Sequence, residues 1–312
     1  DARARRALPF FIEFVKFAID NKLDFIAHSF VRKKEDVIEI KQILGDHNSS
    51  IKVIAKIENQ QGVDNIDEIL DHTYGVMVAR GDLGIEIAAE KIPTIQRRIV
   101  RKCIESKKPV IIATQMLHTM IEHPRPTRAE ISDIANAIYQ RVDAIMLSGE
   151  TAYGEYPVEA VNIMSRVAQE VEVNLEPDPK QKLVRINNEI TATLARSAVR
   201  ACNNLPIKAI IVDTISGRTG RYLAAFRGKI PVYAVCYKPQ VMRHLALSYG
   251  ISAEYMVPQS TRDNFLMDSI STMANRGKLN PDDLVLIIGG SFGPWDGASF
   301  MEISQVKNLV KK

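Results

Sequence analysis

Lys56 and Glu58 stand two residues apart at the end of an apolar run, so the period-2 geometry of a strand directs both side chains to one face. Asp82 follows the next apolar run, inside MVARGDLG at Met77–Gly84. Neighbouring strands lie ~4.8 Å apart, close enough for Glu58 and Asp82 to share one ion. Two carboxylates favour a hard cation, Mg²⁺ or Mn²⁺, whose shell is completed by water and substrate oxygens. The simpler reading of the same letters is an ion pair between Glu58 and Lys56 or Arg80. Gly81 and Gly84 would let the backbone turn sharply and approach a ligand, and the amides entering the next helix could hold a carboxylate. A strand-to-helix turn capped by the aspartate explains those residues too. Thr114 ends the run PVIIATQM. Its hydroxyl is a poor acid by itself and would position or relay a proton-donating water, although threonine is also an ordinary strand former. Farther on, DTISGRTGRY at Asp213–Tyr222 places Thr214, Ser216 and Thr219 with the Gly217 amide at a helix start. Orphan N–H groups and the macrodipole make such a turn an anion cradle, whereas plain helix caps need no ligand.

These residues need a scaffold that gathers strand ends. Strand-like runs occur at Asp24–Val31, Val53–Glu58, Gly75–Arg80, Pro109–Met116 and Ala144–Gly149, separated by stretches long enough for crossover helices. Their near-continuous apolar character predicts strands buried on both faces of a parallel sheet, with chemistry at the carboxyl ends. A (β/α)₈ barrel has eight strands and typically ~250 residues. Residues 1–172 show only five units, so the expectation is a partial TIM (β/α)₈ barrel lacking its first three strands. The stretch Glu170–Arg185, with two prolines and many charges, reads as a linker. Residues 187–312 then read as a smaller α/β domain. Its strands are expected at Ala209–Thr214, Val232–Tyr237, Ala253–Val257 and Leu284–Gly289, and its helices at Glu189–Asn203, Gly217–Phe226, Pro239–Ser248 and Arg262–Asn275.

Composition removes several function classes. The 312 residues carry 41 Lys and Arg against 37 Asp and Glu, a formal charge of +4. The basic residues are scattered, which argues against nucleic acid as a partner. No apolar run has membrane-spanning length, and no signal-peptide pattern opens the sequence. Three widely spaced cysteines, Cys103, Cys202 and Cys236, suit free thiols in a reducing cytoplasm and no zinc cluster.

Beyond these local readings, consecutive blocks resemble the pyruvate kinase family. They are SFVRK at Ser29, KIENQQGVDNIDEIL at Lys56, GVMVARGDLGIEI at Gly75, PVIIATQML at Pro109, PRPTRAEISDIANA at Pro124 and AIMLSGETAYGEYPVEAV at Ala144. The resemblance runs from about Phe14 to the end of the chain. It implies a cytoplasmic glycolytic enzyme, a homotetramer when intact, that moves phosphate from phosphoenolpyruvate to ADP and yields pyruvate and ATP. It implies Glu58 and Asp82 as ligands of Mg²⁺ or Mn²⁺, and Lys56 as the cation that stabilises the transferred group and the enolate oxygen. The Gly81 and Asp82 amides with the Thr114 hydroxyl would bind the substrate carboxylate, and Thr114 would serve protonation. Ser29 would lie on the phosphate side, Ser148 and Glu150 in the proton-relay network, and Arg128 near a subunit interface. Thr214, Ser216, Gly217 and Thr219 would take the phosphate of an effector, with the loop Gly289–Ser299 and its Trp295 closing over it. The resemblance also implies that a K⁺ site, an arginine for the phosphoryl group, nucleotide contacts and an inserted lid domain would lie in a part before this sequence. The 312 residues alone are therefore expected to be inactive.

The chain departs from the family pattern in places. Leu8–Phe17 lacks the usual charged lead-in, Gln140 and Arg141 replace a common Asp-Gly, and Ala298 replaces a frequent threonine. Five strands would also leave two unpaired edges. Two other classes stay open: a metal-dependent aldolase barrel reusing Glu58 and Asp82, and a binding and oligomerisation module sensing a phosphorylated metabolite.

Overall fold

In the computed structural model, which describes residues 12–176, 181–258, 261–290 and 297–309, the chain forms two compact units. One runs to Ile104 and resumes at Lys108–Leu175; the other comprises Glu105–Lys107 and the residues from Glu176.

Strand and helix alternate throughout the first unit. Residues 12–20 are helical (α1). They are followed by β1 (Phe25–His28), α2 (Lys34–Asp46), β2 (Lys52–Ile57), α3 (Gln60–Asp64), α4 (Ile66–His72), β3 (Gly75–Ala79), α5 (Arg80–Glu86), α6 (Ile92–Glu105), β4 (Val110–Ala113), α7 (Arg128–Tyr139), β5 (Ala144–Met146), α8 (Gly149–Ala152) and α9 (Pro157–Val173). The five strands pair in chain order, β1-β2-β3-β4-β5, and every pairing is parallel. That sequential order is the barrel pattern, because each crossover helix returns the chain to the next position on the same side. β3 and β4 are buried at every residue, as the unbroken apolar runs require. Val76, Val78, Ile57 and Ile112 form a core with Ile40, Ile69 and Ile99 of the helices. Gly62 is required by packing, since a Cβ there would lie 2.5 Å from the Val31 carbonyl oxygen.

The second unit contains α10 (Glu189–Asn204), β6 (Ile207–Thr214), α11 (Arg218–Ala225), β7 (Val232–Cys236), α12 (Pro239–Leu245), β8 (Ile251–Tyr255), α13 (Arg262–Asn275), β9 (Leu284–Gly289), β10 (Phe300–Gln305) and α14 (Val306–Leu309). The sheet order is β10-β9-β6-β7-β8. The chain moves outward from β6 to β8, then crosses back to place β9 on the other side of β6. β9 is parallel to β6, and β10 is antiparallel to β9. Order therefore reverses beside β6, which makes its carboxyl end a topological switch point.

Several boundaries differ from the sequence reading for physical reasons. The run Pro109–Met116 stops as a strand at Ala113, because Thr114 and Gln115 take left-handed φ values of 70° and 56°. The linker stretch begins as helix, since α9 continues to Val173. Residues 177–180 of that stretch lie outside the described residues, as do Leu8–Phe11 of the segment Leu8–Phe17, and Trp295 with 291–296. β10 had no sequence counterpart: FMEISQ is partly exposed throughout and lacks an apolar run.

At the end of α7, Gln140 caps the helix and Arg141 has φ of 61°. A left-handed residue with a Cβ costs roughly 1–2 kcal/mol, partly offset by the entropy a glycine loses on folding. Arg141→Gly is therefore expected to stabilise the first unit by about 0.5–1 kcal/mol, read as a higher urea midpoint at unchanged slope.

Candidate active site at the carboxyl ends of the barrel strands

The first-unit candidates sit at or just beyond the ends of the five strands. Ser29 follows β1, Glu58 follows β2, Gly81 and Asp82 follow β3 in the first turn of α5, Thr114 follows β4, and Ser148 lies two residues past β5. Lys56 is still within β2, in register with Met77 of β3. Parallel pairing of neighbours brings these ends to one edge of the sheet.

Glu58 is only 2% exposed. Its Oε1 lies 2.7 Å from Lys56 Nζ, and its Oε2 accepts the Phe30 N–H at 2.6 Å. Lys56 Nζ also donates to Ser29 Oγ at 3.0 Å. One ammonium thus joins the ends of β1 and β2, half-buried beside a buried carboxylate. The ion pair considered from sequence is present with Lys56, whereas Arg80 turns elsewhere.

Arg80 is 8% exposed. Its Nη1 pairs with Asp133 of α7 at 2.7 Å, and its Nη2 donates to the Thr114 carbonyl at 2.7 Å. The left-handed backbone at Thr114 is thereby fixed by a guanidinium fork reaching across from β3. Thr114 Oγ1 accepts the Gly81 N–H at 2.8 Å, so the end of β4 and the start of α5 are stitched twice. The glycines of RGDLG do not make the sharp turn expected of them. Both lie within α5, and neither is among the positive-φ glycines. What Gly81 supplies is a close approach, since a Cβ there would stand 3.4 Å from Thr114 Oγ1.

Glu150, also 2% exposed, accepts the Leu117 N–H at 3.0 Å and the Ser148 N–H at 2.8 Å. It ties the segments after β4 and β5 through backbone amides. PRPTRAE forms a capping box at the start of α7, the Thr127 hydroxyl accepting the Glu130 N–H while Glu130 accepts the Thr127 N–H. Arg128, the first residue of that helix, is exposed. Glu130 additionally accepts the Thr119 N–H at 2.7 Å. Desolvation pushes its carboxyl up, but the donors from Thr119 and Thr127 outweigh it and the net shift is downward. A depressed folded-state value contributes stability that is full above the ordinary carboxylate range and lost as pH falls through it. Glu130→Gln is expected to flatten the stability decline between pH 6 and 3, roughly the span of a carboxylate titration; a pH profile of the urea midpoint measures it.

The metal fit follows from the donor set. Among the described residues no group of three or more His, Cys, Asp and Glu side chains converges. A hard cation can be held by one or two carboxylates with water and substrate completing its shell, and Glu58 and Asp82 are the carboxylates that follow β2 and β3. Glu58 uses one lone pair on each oxygen for Lys56 and Phe30, and a carboxylate offers about four acceptor positions.

In the second unit, Thr214 and Thr219 are buried. Gly217 N donates to Thr214 Oγ1 at 2.9 Å, and Arg218 N lies 3.4 Å from Ser216 Oγ. Gly217 has φ of 78° immediately before α11, and a Cβ there would meet Arg221 Nη1 at 2.9 Å. Across the switch point, Gly290 N donates to Asp213 Oδ1 at 3.0 Å. The four residues singled out from sequence therefore form one turn at the carboxyl end of β6.

Comparison with known proteins agrees with both units. Residues 12–161 match the family model for the pyruvate kinase barrel domain, and residues 192–304 match that for the pyruvate kinase alpha/beta domain. The pyruvate kinase of Borreliella burgdorferi is 45% identical over 303 residues, covering 96% of this chain and 64% of the relative. That of Geobacillus stearothermophilus is 43% identical over 302 residues, covering 96% of this chain and 51% of the relative. A crystal structure of a pyruvate kinase from Cryptosporidium parvum matches with a TM-score of 0.88 at 36% identity, covering 94% of this chain and 61% of that one. The chain thus spans between half and two thirds of the length of these relatives. With five consecutive barrel units, an α/β domain behind them and a family match to each in the same order, this chain belongs to the pyruvate kinase family.

Proposed function

We propose that these residues form the carboxyl-terminal portion of a pyruvate kinase that transfers phosphate from phosphoenolpyruvate to ADP and then protonates enolpyruvate. The observation that carries the reading is the Lys56 ammonium, 2.7 Å from buried Glu58 and 3.0 Å from Ser29 Oγ at the strand ends. In the transfer, the bond between phosphorus and the enol oxygen breaks while a terminal oxygen of ADP bonds to phosphorus. Negative charge grows on the enol oxygen and stays on the transferred group, and Lys56 is placed to stabilise both. Glu58 and Asp82 would hold Mg²⁺ or Mn²⁺, which supplies further neutralisation of that charge when bound. The Gly81 and Asp82 amides at the start of α5 would orient the substrate carboxylate. Thr114 accepts from Gly81, so its own O–H remains a donor for a water delivering the proton to carbon. Ser29 holds Lys56 on the phosphate side, while Glu150 acts on the relay only by fixing Ser148 and Leu117.

The Thr214–Thr219 turn would receive the phosphate of an effector, supported by its position at the switch point beside β6. A homotetramer in the cytoplasm working in glycolysis, with K⁺ bound outside these residues, completes the reading. The 312 residues by themselves are proposed to be inactive, because the described residues supply only five strands of an eight-stranded barrel, and half a phosphoryl-transfer site does not position the nucleotide. The test is Mg²⁺-dependent ATP formation by this chain and by a chain extended with the remaining barrel strands of a pyruvate kinase relative. Activity in the extended chain alone is expected; an inactive extended chain would remove the assignment, and turnover by the 312 residues would remove the inactivity claim.

A further inference from the structure

Thr114 and Gln115 are consecutive residues in the left-handed region, with φ of 70° and 56°. For a β-branched side chain that conformation is an outlier, and it persists only where the surroundings over-determine it. Here one guanidinium does much of this. Arg80 Nη2 donates to the Thr114 carbonyl at 2.7 Å and lies 3.5 Å from Met116 Sδ, so it brackets the left-handed pair on both sides. Gly81, the next residue along the chain, donates its N–H to Thr114 Oγ1 at 2.8 Å. Consecutive residues at the start of α5 therefore hold both the carbonyl and the hydroxyl of Thr114, one through a side chain and one through the backbone.

The side-chain half of that grip is aimed by Asp133 of α7. Both carboxylate oxygens lie 2.7 Å from Arg80 Nη1, and charge-assisted bonds of this length fix the plane of a guanidinium as well as its position. Asp133 stands outside the strand-end site and touches Thr114 only through Arg80. Lys56, at the end of β2, has Glu58 and Ser29 as its partners, so the Asp133–Arg80 pair and the Lys56 group are anchored independently.

We infer that Asp133 is a positioning residue for protonation at carbon: by aiming Arg80 it fixes the Thr114 backbone, and with it the place from which the Thr114 hydroxyl presents a water to the substrate methylene. This rests on the proton-delivery reading of Thr114 given above. In that step a proton passes from the water to the methylene carbon, whose C=C electron pair forms the new C–H bond as the enolate oxygen becomes the ketone. Bulk water reprotonates the hydroxide left behind. A displacement of about 1 Å in a positioning group costs such a step up to ~10²-fold. Phosphoryl transfer, which depends on Lys56, is affected far less.

One arm of the experiment needs no turnover. The Gly81 N–H is bonded to Thr114 Oγ1 and reports where the hydroxyl stands. In the 312-residue chain, Asp133→Ala is expected to speed deuterium exchange of that amide at least ~10-fold while the amides of β3 keep their protection, as a local opening requires. The other arm uses a chain carrying the complete barrel. The reverse of protonation removes a methyl proton, read as exchange of pyruvate methyl protons with D₂O. Asp133→Ala is expected to lower the ratio of this exchange to ATP formation at least ~10-fold. Asp133→Glu, which restores the carboxylate, should return the ratio to within about threefold of the parent. Should Asp133→Ala fold poorly, Asp133→Asn, which keeps the shape without the charge, is expected to lower the ratio about threefold. Unchanged Gly81 exchange would overturn the inference whether or not the chain is a kinase. A ratio that does not move, or one as low in Asp133→Glu as in Asp133→Ala, would overturn it too and leave Asp133 as an ion partner of Arg80 alone. A parent chain with the complete barrel that forms no ATP would remove the kinase reading and the protonation role with it, while the Gly81 result would still decide whether Asp133 governs the hydroxyl.

Discussion

Lys56→Met, made in a chain carrying the complete barrel, is expected to lower the turnover number for ATP formation from phosphoenolpyruvate by about 10³-fold, the scale of losing a preorganised charge stabiliser. Methionine keeps much of the side-chain length, so β2 retains its packing while the ammonium disappears. Ground-state affinity for phosphoenolpyruvate should change far less than turnover, because the charge that Lys56 meets is largest at the transition state. A secondary effect follows from Glu58, which is 2% exposed and loses its 2.7 Å partner. The variant should therefore be destabilised as well, and its activity is to be read under conditions where circular dichroism shows it folded. Steady-state kinetics decide the matter. A loss confined to substrate affinity, or a loss below about tenfold, would place Lys56 outside the chemistry and leave it as the ion partner of Glu58.

Arg80→Leu should produce the largest stability loss in the first unit, about 3–4 kcal/mol. The guanidinium reaches both Asp133 and the Thr114 carbonyl at 2.7 Å from a nearly buried position. Removing it leaves the carbonyl without that donor and Asp133 without its cation. Asp133 is 35% exposed, which lets water recover part of its cost. Arg80→Lys is not expected to rescue, since one ammonium cannot reproduce a fork that spans two acceptors on different elements. Arg80→Leu combined with Asp133→Leu should recover more than 1 kcal/mol relative to the single variant, roughly the penalty of a charge left unpaired. Urea unfolding of the three variants measures this. If Arg80→Leu costs under about 1 kcal/mol, Arg80 is not what holds Thr114 in its left-handed conformation.

Much of the scaffold was legible because buried parallel strands carry a local signal. Gly75–Ala79 and Leu284–Gly289 are unbroken apolar runs, and the neighbours of Gly75–Ala79 in space are its neighbours in the repeating pattern. The α13 span Arg262–Asn275 was legible from its helical pattern, and the structure adds that the Thr261 side chain caps it at Asn264 N. β10 was not legible. Its residues are half-exposed on an edge, and it becomes a strand through antiparallel pairing with β9, a non-local event with little trace in composition.

The site divides in the same way. Lys56 and Glu58 are two apart on one strand, so their meeting is a local consequence of strand geometry. Arg80 was read as a possible partner of Glu58 because both carry charge near strand ends. Its actual partners are 34 and 53 residues away, and only packing of β3, β4 and α7 against one another selects them. Likewise the glycines of RGDLG suggested a turn by composition, while the fold placed them in a helix and left Gly81 to approach Thr114. By itself the sequence determined which residues end strands and which chemistry those ends carry, because periodicity and residue type are local properties. The tertiary structure alone decided which ends are tied together and which guanidinium fixes Thr114, because hydrogen bonds and burial between distant segments exist only once the sheet and its helices have packed.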